Sequence, residues 1–427
     1  MKRLRVLITN NTLADRAGTE LYVRDLAIAL LERGHTPVAY SSLLGEVARE
    51  LRGATIPVVD HLDALAVPPD IIHGHHHLET MTALLSFPGV PAIYFCHGWI
   101  PWEEAPPQFP RIVRYIAVDH TCRDRLIYEH AIREERVELF LNFVDLNRFR
   151  PRDPLPDRPR RALVFSNNAS NHTHLGAIRE ACAHASIELD VIGAGAGNVC
   201  VRPEDLLRDY DIVFAKGRSA LEALAVGAAV VLCDAAGAGP MVTTDEVERL
   251  RPLNFGIRAL RESVNPDVIA HEIARYDAKD AAEVSRRTRA AAGLDTAIDK
   301  LLLLYQEVIE EYKRNGTQDQ TPELRAAATY LRRWVPNLTA QHHMRIQCEL
   351  LKVDHDRLRT EEEKLRGECD TLRSELGELR GESEKLRTEL TDIQNSSTMR
   401  LRNRLVATPV LGPLAKSLAK LVAGRAS

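Results

Sequence analysis

Short apolar runs alternate with helical patterns from residue 5 onward, pause once at RPRDPLPDRPRR (residues 150–161), and then start again. This doubled rhythm constrains the fold more than any other feature. Strands separated by helices pair in parallel, and a parallel sheet must be covered on both faces. The first series reads RVLIT (residues 5–9), a helix over 20–33, TPVAY, a helix over 44–52, then DIIH, PAIYF and YIAV, with helices over 78–84 and 122–129. The second reads RALVFS, a helix over 173–184, IELDVIG, a helix over 204–208, DIVFA, a helix opening at FAKGRS, and AAVVLCD. Beyond about residue 255 helices take over, among them 297–313. The proline-rich pause suits neither a helix interior nor a central strand, so it marks a domain boundary. The expected fold is α/β: two Rossmann-like domains, residues 1–152 and 160–315, facing a cleft at the C-terminal ends of their strands.

A chain of 427 residues leaves material beyond two such domains. A linker is expected over 316–345, a coiled coil over 346–395 and a basic amphipathic tail over 396–427. Leu351, Leu358, Leu365, Leu372, Leu379, Leu386 and Ile393 recur every seven residues. With these at heptad position d, the e positions are basic (Lys352, Arg359, Arg366, Arg373, Arg380, Arg387) and the g positions acidic (Asp354, Glu361, Glu368, Glu375, Glu382, Glu389). Parallel pairing sets g against e′ and attracts, whereas antiparallel pairing sets like against like. The a positions are weaker: His355, Glu362, Cys369, Leu376, Ser383 and Leu390. A parallel homodimer of modest strength, about 65 Å long, is expected. The tail holds six Lys/Arg and no acid, with Leu401, Leu405 and Val406 on one helical face and Leu414, Leu418, Leu421 and Val422 on another. Such helices lie on anionic membrane surfaces; a disordered or protein-docking tail is the alternative.

A formal charge of −4 carries no global nucleic-acid signature. The seven cysteines are scattered singly, which fits a reducing compartment rather than a disulfide framework or a zinc site. MKRLRVLITN is too short an apolar run for a signal peptide, and nowhere do about 18 apolar residues run together. The expected location is cytoplasmic, peripheral on the inner face of the membrane if the tail binds lipid.

Four stretches carry candidate chemistry. In NNTLADRAGTELYVRD, Gly18 precedes a helix whose first turn holds Glu20, where backbone can approach a ligand and free N–H groups face an anion. In PPDIIHGHHHLE, four histidines (His73, His75, His76, His77) lack a matching acid or cysteine set, so polar cleft-lining roles are expected over metal binding. His97 follows an apolar strand and precedes Gly98, placing an imidazole at the sheet edge where ligands bind. The last two are LFLNFVDLNRFRPRDP, closing the first domain, and FAKGRSALEALAVG. There the N–H groups of Arg218 and Ser219 can meet an anion, Lys216 and Arg218 can neutralise it, and Glu222 lies one turn further along.

Taken in order, these stretches resemble the family 4 retaining glycosyltransferases of the GT-B fold. The family's first loop is similar to Gly18-Thr19-Glu20. Its Pro-Asp-hydrophobic-hydrophobic-His-x-His strand looks like Pro69 to His75, and its strand-end His-Gly matches His97-Gly98. The family's Asn-Gly-Val-Asp…Phe-x-Pro corresponds to Asn142, Val144, Asp145, Phe149 and Pro151, with Phe143 in place of the glycine. EALAVGAAVVLCD matches the Glu-Ala…Gly-x-x-Val-Val core, and LDTAIDKLLLLYQEV the closing helix. The resemblance spans about residues 3–312.

It implies a metal-independent, retaining hexosyltransferase with no cofactor beyond its nucleotide-sugar co-substrate. Together with the basic tail, it points to a glycan or lipid-linked acceptor and to cell-surface polysaccharide synthesis. Glu222 would hold the ribose diol, Gly18, Lys216, Gly217, Arg218 and Ser219 would surround the diphosphate, and His97 would lie nearest the transferred sugar. Two departures stand out. The family's second acid, eight residues before Glu222, is Phe214 in what reads as a shortened loop, and the Arg/Lys pair after the second domain's first strand is replaced by FSNNASNHTH. They motivate the alternative of a catalytically weak GT-B scaffold that organises a glycan-assembly complex through its coil. A nucleotide-sugar epimerase fits less well, since only one cleft acid is evident around Glu222.

Overall fold

The computed structural model describes residues 2–170, 172–315, 319–408 and 412–423, and it divides into two compact units, Met1–Leu331 and Arg332–Ser427. Part of the expected linker (316–318) and part of the expected tail (409–411, 424–427 and the Val422 side chain) lie outside the described residues.

The first unit opens with β1 (Arg5–Thr9), α1 (Gly18–Glu32), β2 (Thr36–Tyr40), α2 (Glu46–Gly53), β3 (Val58–Val59), β4 (Ile71–His75), α3 (His77–Ser86), β5 (Ala92–Cys96), β6 (Ile112–Ala117), α4 (His120–Asp124) and β7 (Val137–Leu139). The sheet runs β3-β2-β1-β4-β5-β6-β7, parallel throughout. Strand order reverses between β1 and β4, and at such a switch point the loops part and leave a crevice.

After the proline-rich connection come β8 (Arg161–Phe165), α5 (Leu175–His184), β9 (Glu188–Ile192), α6 (Pro203–Leu206), β10 (Ile212–Ala215), α7 (Gly217–Val226), β11 (Ala229–Asp234) and β12 (Gly237–Met241). The sheet order is β12-β11-β10-β8-β9, and only β12 is antiparallel. Its strands read as near-continuous apolar runs because both faces are buried. Leu163, Val213, Ala215, Val230 and Leu232 join one core with α7, while Ala162, Val164, Ile212, Phe214, Val231 and Cys233 join the other with α5. Phe214 thus lies inside β10 and is fully buried. This corrects the expectation of a loop residue: the strand runs on to Ala215, and an apolar ring at an inward position has no reason to reach the cleft.

Helices α8 (Val247–Leu250), α9 (Pro266–Ala274), α10 (Ala278–Ala291) and α11 (Leu294–Asn315) follow. The sequence pattern groups the last with the second domain. However, Ile298, Leu301, Leu302, Tyr305 and Val308, spaced along one helical face, complete the core of the first. Arg33 pairs with Asp295 at 2.8 Å and Asp299 at 3.0 Å to fasten this return.

Helix α12 (Thr321–Asn395) begins in the first unit, where Glu323 accepts from the buried Arg111 at 2.9 Å. Most of α12, with α13 (Ser397–Ala407) and α14 (Gly412–Ala423), forms the second unit. The heptad leucines and the tail residues Leu401, Leu405, Leu414, Leu418 and Leu421 are exposed. No helix among the described residues is long and apolar enough to cross a membrane, and all seven cysteines are free.

Candidate active site

Within the first unit, the C-terminal edges of the two sheets face a cleft of about 620 Å³. One wall comes from the first domain. His73 and His75 alternate with Gly74 along β4, so their rings share one face of the sheet. His75 Nδ1 meets His97 Nε2 at 2.7 Å, with the two rings stacked at 4.7 Å, and Tyr22 from α1 stands edge-on to His97 at 4.8 Å. Behind them His73 Nδ1 shares a hydrogen bond with the Tyr305 hydroxyl at 2.6 Å. His76 Nδ1 accepts the Asn11 N–H at 3.2 Å, and His77 meets Tyr330 at 2.6 Å. The four clustered histidines are therefore buried hydrogen-bonding groups, and among the described residues no three His, Cys, Asp or Glu side chains are arranged to hold a metal ion.

Burial decides their charge. It pulls His97 down to about 3, with His76 and Arg218 adding repulsion, and pulls His76 down to about 4. His97 is thus a neutral imidazole at neutral pH. Nε2 is engaged by His75, and Nδ1 has no partner among the described residues. His76 itself adopts φ 59°, a left-handed conformation uncommon outside glycine and concentrated at functional sites.

The loop carrying His97 is clamped from both sides. Glu104 is buried, and its carboxylate accepts the His97 N–H at 2.9 Å. Arg125 donates to the carbonyls of Gly98 at 2.6 Å and Pro101 at 2.9 Å. His76 Nε2 lies 3.5 Å from the same carboxylate. Burial pushes the Glu104 carboxyl up to about 7, against the opposing pull of its backbone hydrogen bonds and Arg125. Glu104 therefore titrates near neutrality at the rim of the cleft. Sequence reasoning passed over it; the available hint was an acid in a short Trp- and Pro-rich loop directly after His-Gly.

The facing wall is the start of α7. Gly217 sits at φ 57°, where a side chain would be strained, and its N–H donates to Phe255 O at 2.9 Å. The N–H groups of Arg218 and Ser219 carry no partner among the described residues, so the positive end of the helix opens toward the cleft.

The side chains behave differently from the sequence expectation of free counter-charges. Lys216 Nζ lies 3.6 Å from Asp234, and Arg218 bridges Glu222, at 2.8 Å, and Asp25 of α1. The spacing of four residues puts Arg218 and Glu222 on one helical face, within reach of each other. Asp25 also meets Arg24 at 2.7 Å and Arg148 at 3.4 Å, and Arg148 meets Glu204 at 3.0 Å. Burial raises the Glu222 carboxyl while Arg218 draws it back; at Asp25 three guanidiniums outweigh burial and hold the carboxyl below its usual value. A second pocket of about 130 Å³, lined by Gly18, Gly193, Ser219 and Glu222, adjoins this network. Gly18 and Arg218 line both cavities. The structure thus places Gly18, His97, Lys216, Gly217 and Arg218 on the interdomain cleft, and Ser219 and Glu222 on the adjoining small pocket. The ion partners Asp25, Arg148 and Asp234 come from distant segments and carried no local signal.

Residues 16–148 match the family model Glycosyltransferase Family 4. No curated protein matches the chain. Among solved structures, a glycosyltransferase from Rickettsia africae superimposes with a TM-score of 0.55 at 16% identity, covering 72% of this chain and 99% of that one. HepE from Anabaena, solved in complex with UDP and glucose, gives 0.53 at 14% identity over 71% of this chain and 100% of its own. Sucrose-phosphate synthase from Thermosynechococcus elongatus gives 0.52 at 13% identity over 72% and 100%. At these identities the shared property is the fold. Residues 16–148 are therefore similar to Glycosyltransferase Family 4, and the two Rossmann-like domains share the GT-B fold of these structures.

Proposed function

We propose that this protein is a retaining, metal-independent glycosyltransferase that moves a hexose from a nucleotide sugar to a glycan or lipid-linked acceptor in cell-surface polysaccharide synthesis. One observation carries the reading: neutral His97 and the open N-terminus of α7 face each other across the cleft. An anion at the helix end and a sugar hydroxyl near the imidazole would suit these groups together. HepE was solved with UDP-glucose, and a donor of that class would set its diphosphate on the N–H groups of Arg218 and Ser219 and its ribose on Glu222. In transfer, the bond from the anomeric carbon to the diphosphate breaks, a bond to an acceptor hydroxyl forms on the same face, and the hydroxyl proton departs with the leaving group. His97 stays neutral and donates a hydrogen bond.

The ion network favours a second reading. Arg218 occupies the carboxylate that would clamp the ribose, and the adjoining pocket of about 130 Å³ is narrow for a nucleoside. A GT-B scaffold with little or no turnover would keep such a lock shut; an enzyme would release Arg218 to the incoming diphosphate. A thermal-shift and turnover panel of nucleotide sugars separates the two. A donor that stabilises the protein and is consumed, with both effects lost in Glu222→Ala and turnover lost in His97→Ala, supports transfer. No stabilisation and no turnover with any donor refutes it.

A further inference from the structure

The exposed stripe on α12 is a different kind of site, and it stands apart from the glycosyl-transfer reading. Leu351, Leu358, Leu365, Leu372, Leu379, Leu386 and Ile393 are all more than half exposed, on a helix that continues unbroken to Asn395. The same phase reaches back to Met344, also exposed, and stops there, because the preceding d position is Asn337 and Pro336 lies beside it. Residues 344–393 would therefore form a seam about 75 Å long. Single exposed leucines need no explanation, but an uninterrupted line of large apolar residues does.

Charge identifies the occupant. In a parallel, in-register pair each g residue meets the e′ residue five positions on, giving Asp354–Arg359′, Glu361–Arg366′, Glu368–Arg373′, Glu375–Arg380′ and Glu382–Arg387′, each formed twice. In an antiparallel pair these arginines would face arginines, and the acids acids. Within one helix the charges form only scattered exposed pairs, such as Arg359–Glu363 at 3.5 Å, which contribute little. The complementary surface is the helix's own copy. Leucine at d is compatible with two strands.

We propose that α12 pairs with a second copy of the chain as a parallel, in-register coiled-coil dimer over residues 344–393. Two exposed cysteines report the register, because Cys348 and Cys369 both fall at position a. In the proposed pair each faces its own counterpart: Cys348 opposite Cys348′, and Cys369 opposite Cys369′. An antiparallel pair could bring together Cys348 with Cys369′, or one of the two like pairs, but never both like pairs at once. Both C-terminal basic tails would emerge at one end of the coil, where two weak surface contacts act together.

The test uses the full-length chain. Light scattering on the eluting protein is expected to give twice the chain mass of 47.8 kDa, and Leu365→Lys/Leu372→Lys to give the single mass with the melting of the first unit unchanged. A short bis-maleimide should link the dimer covalently in Cys348→Ser and in Cys369→Ser, since either cysteine suffices, and should lose that link in the double variant. A single-chain mass for the wild type, a trimeric mass, or loss of the link in either single variant would each overturn the proposal.

Discussion

Glu104→Gln isolates the physics of the loop that carries His97. The carboxyl is raised from its usual 4.5 to about 7, chiefly by burial. Well below pH 4.5 the folded and unfolded chains both hold the proton, and the raised pKa costs no stability. As pH rises past 4.5 the unfolded chain releases it while the folded chain keeps it, so stability drains away until about pH 7 and is level above that. At about 1.36 kcal/mol per tenfold change in proton affinity, the loss amounts to about 3 kcal/mol. Glutamine keeps an oxygen for the His97 N–H but has no proton to lose. Relative to wild type, the variant should therefore gain about 3 kcal/mol between pH 4.5 and pH 8. For a unit ending at Leu331, that is about 4 °C in melting temperature. Melting curves of both proteins across this range provide the assay. Because only the difference is read, titrating groups that do not touch Glu104 cancel. A difference that stays flat from pH 4.5 to pH 8 would show that Glu104 carries no raised pKa, and the account of the loop would fall.

Four further outcomes follow from named contacts. Tyr305→Phe strands His73 Nδ1 in the core and should cost about 1–3 kcal/mol in denaturant unfolding, with nucleotide-sugar binding unchanged. Arg218→Met leaves Asp25 and Glu222 buried without their shared cation, so unfolding free energy should fall by about 3–5 kcal/mol. Gly193→Ala would place a Cβ 1.9 Å from the Ser166 carbonyl oxygen at φ 149°, and soluble yield and melting temperature should drop with a loss of about 3 kcal/mol or more. Removing residues 399–427 should abolish sedimentation with anionic vesicles at low salt; equal sedimentation of both forms would exclude a lipid role for the tail.

Much of this protein is legible in its sequence because the governing rules are local. Apolar runs bounded by glycine and proline produced the strands, and RVLIT and TPVAY appear at their expected limits. Seven-residue periodicity produced the long helix. The pairing of strand end with His-Gly, and of strand with Gly217 and a short helix, is a local pattern and points to both walls of the cleft. The short strands β3, β7 and β12 escaped notice because two or three residues, or a glycine-rich run such as GAGPM, carry too little apolar pattern.

Tertiary structure alone decided who holds whom. Nothing near Arg218 in the chain announces Asp25, which lies on another domain, and nothing in DIIHGHHH shows that His75 would face His97 or that Tyr305 would return on α11 to meet His73. These are long-range pairings, set by how two sheets and a returning helix bury their apolar faces. The charge states of His97 and Glu104 follow from the same burial. Residue type and spacing therefore determined the elements and the candidate groups. Desolvation and cross-domain ion pairing determined which of those groups are neutral, which are locked, and which still face the cleft.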